Sequence, residues 1–247
     1  MCISTKNLYG IENNDHPRVL ILIIASDHTP LYIKLQSLWR SYMHSDPSRI
    51  SAYFIKADPN LSANYYIHKD VIWSKTAECI IPGILNKTIL SIEALLSQID
   101  RFDYILRTNL SSFYVFPKLL QFLNSLPTKK CYSAHIGYNF RLNQHFGTGS
   151  GFILSTDVAK MLVHKKKRLF NNEFSNDDLV IARFLKQHKI KLIPAPRFDF
   201  YSMNDWLASK NSLLDKHFHF RIKNSNNAFR LEQDLYIYSQ LIDKYYP

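Results

Sequence analysis

A continuous apolar run near the start of the chain, RVLILIIAS at residues 18–26, constrains the fold more than any other feature. A strand without polar alternation is typical of a parallel sheet that helices cover on both faces. Strand and helix patterns then alternate to the end of the chain. Further strands are predicted at residues 50–58, 71–74, 104–106, 131–136, 151–154 and 190–193, and helices at 30–42, 82–96, 117–126, 156–166, 177–188 and 228–245. This order predicts an α/β fold with a mostly parallel central sheet flanked by helices.

The size and composition of the chain predict one domain. Its 247 residues are 46% hydrophobic, which is enough to bury a sizeable core. We expect a flexible, polar segment at residues 1–17 and a single domain at residues 18–247. No stretch resembles a signal peptide, and the longest aliphatic run is far shorter than the about 20 residues that a membrane span needs. The three cysteines lack metal-site spacing, so we expect a cytoplasmic protein with reduced thiols.

The formal net charge of the chain is +11 at pH 7. Such a charge favours either a nucleic-acid partner or a small anionic substrate. The densest basic run, at residues 164–168, falls at the end of a predicted helix, where cations also complement the helix dipole. No zinc-finger, RNA-recognition or heptad pattern accompanies it, so nucleic acid is the weaker of the two interpretations.

The segment FDYILRTNLSSFYVF, at residues 102–116, runs from an apolar strand into a polar cluster that begins at Arg107. In open α/β sheets, ligands bind outside the carboxyl ends of the strands. The cluster therefore predicts a ligand site. The alternative is an ordinary turn between strand and helix, which often uses Asn and Ser.

Glycine is concentrated in the segment HFGTGSGFILS. Three of the six glycines of the chain are Gly147, Gly149 and Gly151. This spacing predicts either a sharp turn or a backbone that a ligand approaches closely. A dinucleotide-binding fingerprint is excluded, because a strand rather than a helix follows the glycines.

Two adjacent carboxylates, Asp177 and Asp178, fall in the first turn of a predicted helix. Acidic residues there stabilise the helix through its dipole, so the pair is explained by a helix start alone. A carboxylate at such a position can also act as a general base. The residues themselves leave both interpretations open.

Taken in order, four segments of residues 18–195 resemble the β-1,3-glycosyltransferase family, which includes the Fringe-like enzymes. The matching residues are Glu78 before Lys87-Thr88, the strand end Arg107-Thr108-Asn109-Leu110-Ser111, the segment Gly149-Ser150-Gly151-Phe152-Ile153-Leu154-Ser155, and the helix start Asp177-Asp178-Leu179. The resemblance implies a GT-A fold, which binds nucleotide sugars. It also implies transfer of a sugar from a nucleotide-diphosphate donor, such as a UDP-sugar, to a glycan hydroxyl with inversion.

The resemblance assigns roles to particular residues. Asp178, or its neighbour Asp177, would be the catalytic base. The residues expected to bind the donor are Glu78, Lys87, Arg107, Thr108, Asn109, Ser111, His219, Arg221 and Lys223. Gly149, Ser150 and Gly151 would lie against the acceptor or the donor sugar.

One departure from the family pattern concerns the metal. The family's Asp-x-Asp holds a divalent cation on the donor diphosphate, whereas this chain has Asn109 and Ser111 at those positions. Mn²⁺ and Mg²⁺ prefer anionic oxygen ligands. Either a metal still binds, through Asn109, Ser111 and His219, or cationic side chains replace it. The C-terminal segment offers His217, His219, Arg221, Lys223 and Arg230 as candidates. We slightly favour the metal-assisted alternative.

Two other functions compete with catalysis. A GT-A fold without its metal motif can be an inactive module that binds a sugar or nucleotide. A basic nucleic-acid-binding protein is the third possibility. Family members usually carry a membrane anchor of the secretory pathway, and the sequence predicts no such segment. We therefore expect this chain to resemble a cytoplasmic form, such as a bacterium or a large virus would use.

Overall fold

The computed structural model of the chain describes residues 17–171, 175–209 and 214–247. It confirms the predicted α/β fold: helices flank a large central sheet, and a small second sheet accompanies it. The strands are β1 (Val19–Ile24), β2 (Ile50–Ala57), β3 (Tyr65–His68), β4 (Val71–Ser74), β5 (Tyr104–Asn109), β6 (Ser112–Tyr114), β7 (Tyr132–Asn139), β8 (Gln144–Ser155), β9 (Leu192–Pro194), β10 (Phe198–Phe200) and β11 (His219–Ile222). The helices are α1 (Pro30–Tyr42), α2 (Gly83–Ala94), α3 (Phe116–Asn124), α4 (Thr156–His164), α5 (Lys166–Phe170), α6 (Asp177–Gln187), α7 (Met203–Ser209) and α8 (Leu235–Tyr245). Apart from Pro17, the predicted flexible segment 1–17 lies outside the described residues.

The central sheet has the strand order β3-β4-β2-β1-β5-β8-β7-β9. β4, β2, β1 and β5 run parallel, and Ile24 at the end of β1 pairs with both Ile55 and Asn109. β3 runs antiparallel to β4, and β8 runs antiparallel to β5 and to β7. The sheet is therefore parallel from β4 to β5 and has antiparallel pairs on both sides of that block. The carboxyl ends of β1 and β5 therefore meet at one edge, outside which ligands bind in open α/β sheets.

The side chains of β1 show why its sequence has no polar alternation. Leu20 and Leu22 pack into a core with residues of α2, α4 and α6. Their neighbours Val19, Ile21 and Ile23 pack on the opposite face with residues of α1, α3 and α8. Successive side chains of a strand point to opposite faces, so a strand covered on both sides must be apolar throughout.

The small sheet brings the C-terminal part of the chain to the end of β5. Its strand order is β10-β11-β6, and β6 follows β5 after two residues. β11 pairs antiparallel with β6, with His219 opposite Tyr114 and Arg221 opposite Ser112. The amide of Ile222 also donates to the Ser111 carbonyl at 2.7 Å. The C-terminal segment that carries His219 and Arg221 is thus a strand beside the polar cluster at the end of β5.

Several elements differ from the sequence-based expectation. The strand expected at 151–154 is the end of β8, which begins at Gln144. Among the elements that were not predicted are β3, β6, β10, α5 and α7, because three to seven residues carry only a weak periodic pattern. The Thr29 side chain caps α1, because its Oγ1 accepts from Tyr32 N at 3.2 Å. Ser155, which precedes α4, instead donates to Asp157 at 2.5 Å and makes no capping bond. In the described ranges, no helix has the length and apolar character needed to cross a membrane.

Candidate active site

Arg107 lies at the end of β5, and it is buried at 1% exposure. Its guanidinium pairs with Asp177, donates to the Gly149 carbonyl at 2.5 Å, and stacks over the ring of Phe152 at 4.5 Å. Burial lowers the pKa of Arg107 to about 10, and the Asp178 carboxylate opposes that shift. The side chain is still a cation at neutral pH, and it ties β5 to β8 and to the start of α6.

Gly149 joins the two predicted halves of the site. Its N–H donates to Asp178 Oδ2 at 3.0 Å, and its carbonyl accepts from Arg107 and, at 3.4 Å, from Asn109 Nδ2. A Cβ at this position would lie 3.2 Å from Asp178 Oδ2. Because Gly149 has no side chain, the candidate base Asp178 and the amide of Asn109 can both contact its backbone.

The two adjacent carboxylates have different environments. Asp177 is 8% exposed and pairs with Arg107. Asp178 is half-buried, and its Oδ1 accepts from its neighbour's amide, Leu179 N, at 2.9 Å. Only Asp178 combines solvent access with a fixed orientation, and a base within reach of a ligand needs both.

Asn109 and Ser111 form a turn at the carboxyl end of β5. Asn109 Oδ1 accepts from Ser111 N at 3.2 Å, from Ser111 Oγ at 2.9 Å and from Ser112 Oγ at 3.4 Å. An Asn that bonds the backbone two residues later is a common turn device. The turn interpretation and the site interpretation are therefore compatible, because this turn also lines a cleft.

The cleft has a volume of about 420 Å³, which lies in the range of small-molecule sites. It opens at the carboxyl ends of β1 and β5. Its lining residues are Ile24, Ala25, Ser26, His28, Tyr32, Glu78, Cys79, Ile80, Ile84, Asn109, Leu110, Ser111, Arg221, Lys223 and Arg230. The lining combines apolar side chains with three cations, Arg221, Lys223 and Arg230. Five of the nine predicted donor-binding residues, together with Arg230, are brought to this one cleft.

Three of the remaining predicted donor-binding residues lie behind the cleft wall: Arg107, Thr108 and Lys87. Lys87 is fully buried, and its Nζ donates to Glu78 Oε1 at 2.6 Å. Thr108 Oγ1 donates at 2.8 Å to the carbonyl of Ser150, which is itself buried. These side chains support the residues that a ligand can reach.

His219, the candidate metal ligand of β11, is 3% exposed. Its Nε2 lies 3.2 Å from Ser112 Oγ, and its ring stacks on Tyr114 with centroids 4.4 Å apart. Burial, followed by the charges of Arg197, His135 and Arg221, holds the pKa of His219 well below its usual value. The imidazole is therefore neutral at physiological pH. His217 lies elsewhere, against Phe198.

The donor set does not fit a divalent metal. Among the described residues, no three His, Cys, Asp or Glu side chains cluster as metal ligands. Asn109 Oδ1 already accepts three hydrogen bonds, and the neighbouring Arg221 and Lys223 would repel a cation. A divalent metal of this class needs anionic oxygens, and the turn supplies none.

The neutral His219 makes stability depend on pH. Its pKa is lowered in the folded state, so below about pH 6.5 the unfolded chain binds a proton that the folded chain does not. We expect the free energy of unfolding to fall by about 1.4 kcal/mol from this group between pH 7.5 and 5.5. Urea titrations of the wild type and of His219→Gln at both values test this. Equal losses in the two proteins would contradict it.

Gly151 is required by close packing. A Cβ there would overlap Tyr114 Oη and would lie 3.0 Å from the His219 ring. We expect Gly151→Ala to destabilise the protein by about 1–3 kcal/mol. Tyr114→Phe removes the overlapping hydroxyl, so the double variant should recover part of that loss in urea unfolding. Gly149→Ala, whose nearest neighbour would be 3.2 Å away, is the milder control. Additive effects of the two substitutions would rule out the steric explanation.

Arg197 is a residue of the site that no sequence pattern reveals. Its Nη1 donates to Thr148 Oγ1 at 2.7 Å and to Ser150 Oγ at 2.5 Å. Its Nε and Nη2 bind Asp199, which also accepts from Tyr201 Oη at 2.6 Å. The arginine ties β10 to the glycine segment of β8. No local motif marks Arg197, because its partners in β8, Thr148 and Ser150, lie 49 and 47 residues away in the sequence.

Comparison with known proteins identifies the architecture. No protein-family model and no curated protein matches the chain. Among solved structures, the chain is similar to a glycosyltransferase involved in the glycosylation of the major capsid of PBCV-1, with a TM-score of 0.54 and 10% identity over 90% of this chain and 99% of that one. Mouse xyloside xylosyltransferase 1 is less similar, with a TM-score of 0.44 and 10% identity over 83% and 97% of the two chains. The mixed sheet, its helices and the first of these similarities show that the chain has a GT-A-type glycosyltransferase fold.

Proposed function

We propose that the protein transfers a sugar from a nucleoside-diphosphate sugar to a hydroxyl of a glycan acceptor, with inversion at the anomeric carbon. The observation that carries the proposal is the position of Gly149. On one side, its carbonyl contacts Asn109 at the cleft; on the other, its amide holds Asp178. A donor in the cleft would thus present its sugar towards a carboxylate.

The residues suit the two demands of glycosyl transfer. The acceptor hydroxyl loses its proton to Asp178 as its oxygen bonds to the anomeric carbon. The bond between that carbon and the phosphate oxygen breaks, and the nucleoside diphosphate leaves as an anion. Arg221 and Lys223 lie in the same cleft, where positive charge stabilises the developing negative charge.

A screen of donors tests this function. Thermal melting with UDP, GDP, CDP, ADP and their common sugar conjugates should show stabilisation by one nucleotide, because a ligand of the native state raises the melting temperature by mass action. Mass spectrometry of the stabilising donor, incubated with glycan acceptors, should then show a product heavier by one sugar. Stabilisation without transfer or donor hydrolysis would instead support the non-catalytic binding module, which the neutral Asn109 and Ser111 favour. Stabilisation by polyanions alone would support a nucleic-acid partner.

A further inference from the structure

The C-terminal cations Arg221 and Lys223 line the same cleft as the turn at the end of β5. Arg221 belongs to β11 and faces Ser112 in the pairing of β11 with β6. Lys223 follows at the end of that strand, and both side chains line the cleft together with Asn109 and Ser111. The strand that carries the cations is thus hydrogen-bonded to the turn in which the metal-binding carboxylates are missing.

The positive charge of these two side chains is not balanced within the described part of the chain. The other charged groups of the cleft are paired: Glu78 with Lys87 at 2.6 Å, and Arg230 with Asp234 at 2.8 Å. Neither Arg221 nor Lys223 has a described carboxylate within 4.0 Å. In addition, Arg221 Nε is buried without a hydrogen-bond partner. A buried donor left unpaired is costly, so a ligand that brought a hydrogen-bond acceptor to Arg221 would stabilise this arrangement.

The titration behaviour agrees with this charge imbalance. Burial and then the charge of Arg197 lower the pKa of Arg221, against the opposite effects of Asp199 and Tyr201. Partial desolvation and then the charges of Arg221 and Arg230 lower the pKa of Lys223, against the opposite effect of Asp234. A bound diphosphate would reverse these shifts, because an anion within a few ångströms favours the charged forms.

We propose that Arg221 and Lys223 bind the donor diphosphate directly and that donor binding therefore requires no divalent metal. This inference rests on the proposed function and deepens it. Arginine suits the role because its planar guanidinium can form two parallel hydrogen bonds with phosphate oxygens. Lys223, which is exposed, supplies a second charge that a flexible stem can move onto the other phosphate.

Isothermal titration calorimetry with UDP, GDP, CDP and ADP tests the inference. Each nucleotide is titrated into the protein with EDTA and, separately, with Mn²⁺ or Mg²⁺. We expect one nucleotide to bind in EDTA with a Kd within about threefold of its value with metal. Arg221→Gln and Lys223→Gln should each raise that Kd about tenfold, the effect of losing one charge-assisted hydrogen bond. Because Lys223 is exposed, its variant remains informative if Arg221→Gln folds poorly.

Lys129→Gln is the matched control for net charge. Lys129 is exposed and precedes β7 at the opposite edge of the sheet, so its variant should leave the Kd unchanged. Binding that appears only with Mn²⁺ or Mg²⁺ would overturn the inference while leaving the proposed transferase function intact. An unchanged Kd in EDTA for both Arg221→Gln and Lys223→Gln would also overturn the inference and leave the proposed transferase function intact. Absence of binding by every nucleotide under every condition would overturn both proposals.

Discussion

Asp178→Asn is expected to lower the rate of sugar transfer by about 10²- to 10⁴-fold while leaving the Kd of the donor within about twofold of the wild type. An amide has nearly the shape of a carboxylate, and its oxygen can still accept from Gly149 N, as Asp178 Oδ2 does at 3.0 Å. It cannot take a proton from an acceptor hydroxyl. The rate is measured as release of nucleoside diphosphate from the donor that the melting screen selects, and the Kd by calorimetry.

Two controls separate catalysis from structure. Asp243→Asn changes an exposed carboxylate at the end of α8 and should leave rate and affinity unchanged. Asp177→Asn should instead reduce stability, because Arg107 would lose its buried carboxylate partner. Near-normal transfer by Asp178→Asn would show that another group removes the proton.

Arg107→Met is expected to reduce the free energy of unfolding by about 3–5 kcal/mol. The substitution keeps an unbranched apolar stem but leaves the buried Asp177 carboxylate without its cation, and it removes the donor to the Gly149 carbonyl. Removing one partner of a buried pair costs more than the pair itself contributes, because a desolvated charge remains. Urea unfolding at pH 7 measures the loss.

A double variant tests whether the remaining charge causes this loss. In Arg107→Met/Asp177→Asn the orphaned carboxylate is gone, so part of the stability should return. Arg40→Met is the matched control. Its salt bridge with Asp70, at 2.6 Å, is partly exposed, and such pairs contribute about 0–1 kcal/mol. If Arg107→Met and Arg40→Met lost the same free energy of unfolding, a structural role for the buried pair of Arg107 and Asp177 would be contradicted.

Much of the fold was predictable because it follows from local patterns. The apolar run of β1, the Thr29 cap with Pro30 at the start of α1, and the periodicity of α2 each depend on residues close in sequence. The lengths of β8 and α8 were not predictable in this way. The glycine-rich first half of β8 carries no apolar run, and its strand conformation depends on pairing with β7.

The candidate site was predictable as a set of positions but not as a set of roles. Asp177 and Asp178 are adjacent carboxylates that sequence reasoning treats alike, yet one is buried against Arg107 and the other is half-exposed. Arg107 and Lys87, expected to bind a donor, are both buried behind the cleft wall. Burial depends on elements far apart in the chain, so the sequence pattern alone could not assign these roles.

The sequence by itself determined the α/β order and the polar end of β5 with its uncharged Asn109 and Ser111, because each is a property of a short segment. Only the tertiary structure brought β11 beside that turn, placed Arg221 within the cleft and tied Arg197 to the glycine segment. The physical reason is the sequence separation of the groups. Contacts of β5 with β8 and of β6 with β11 join residues about 40 to 110 positions apart, and they exist only after the sheets have formed.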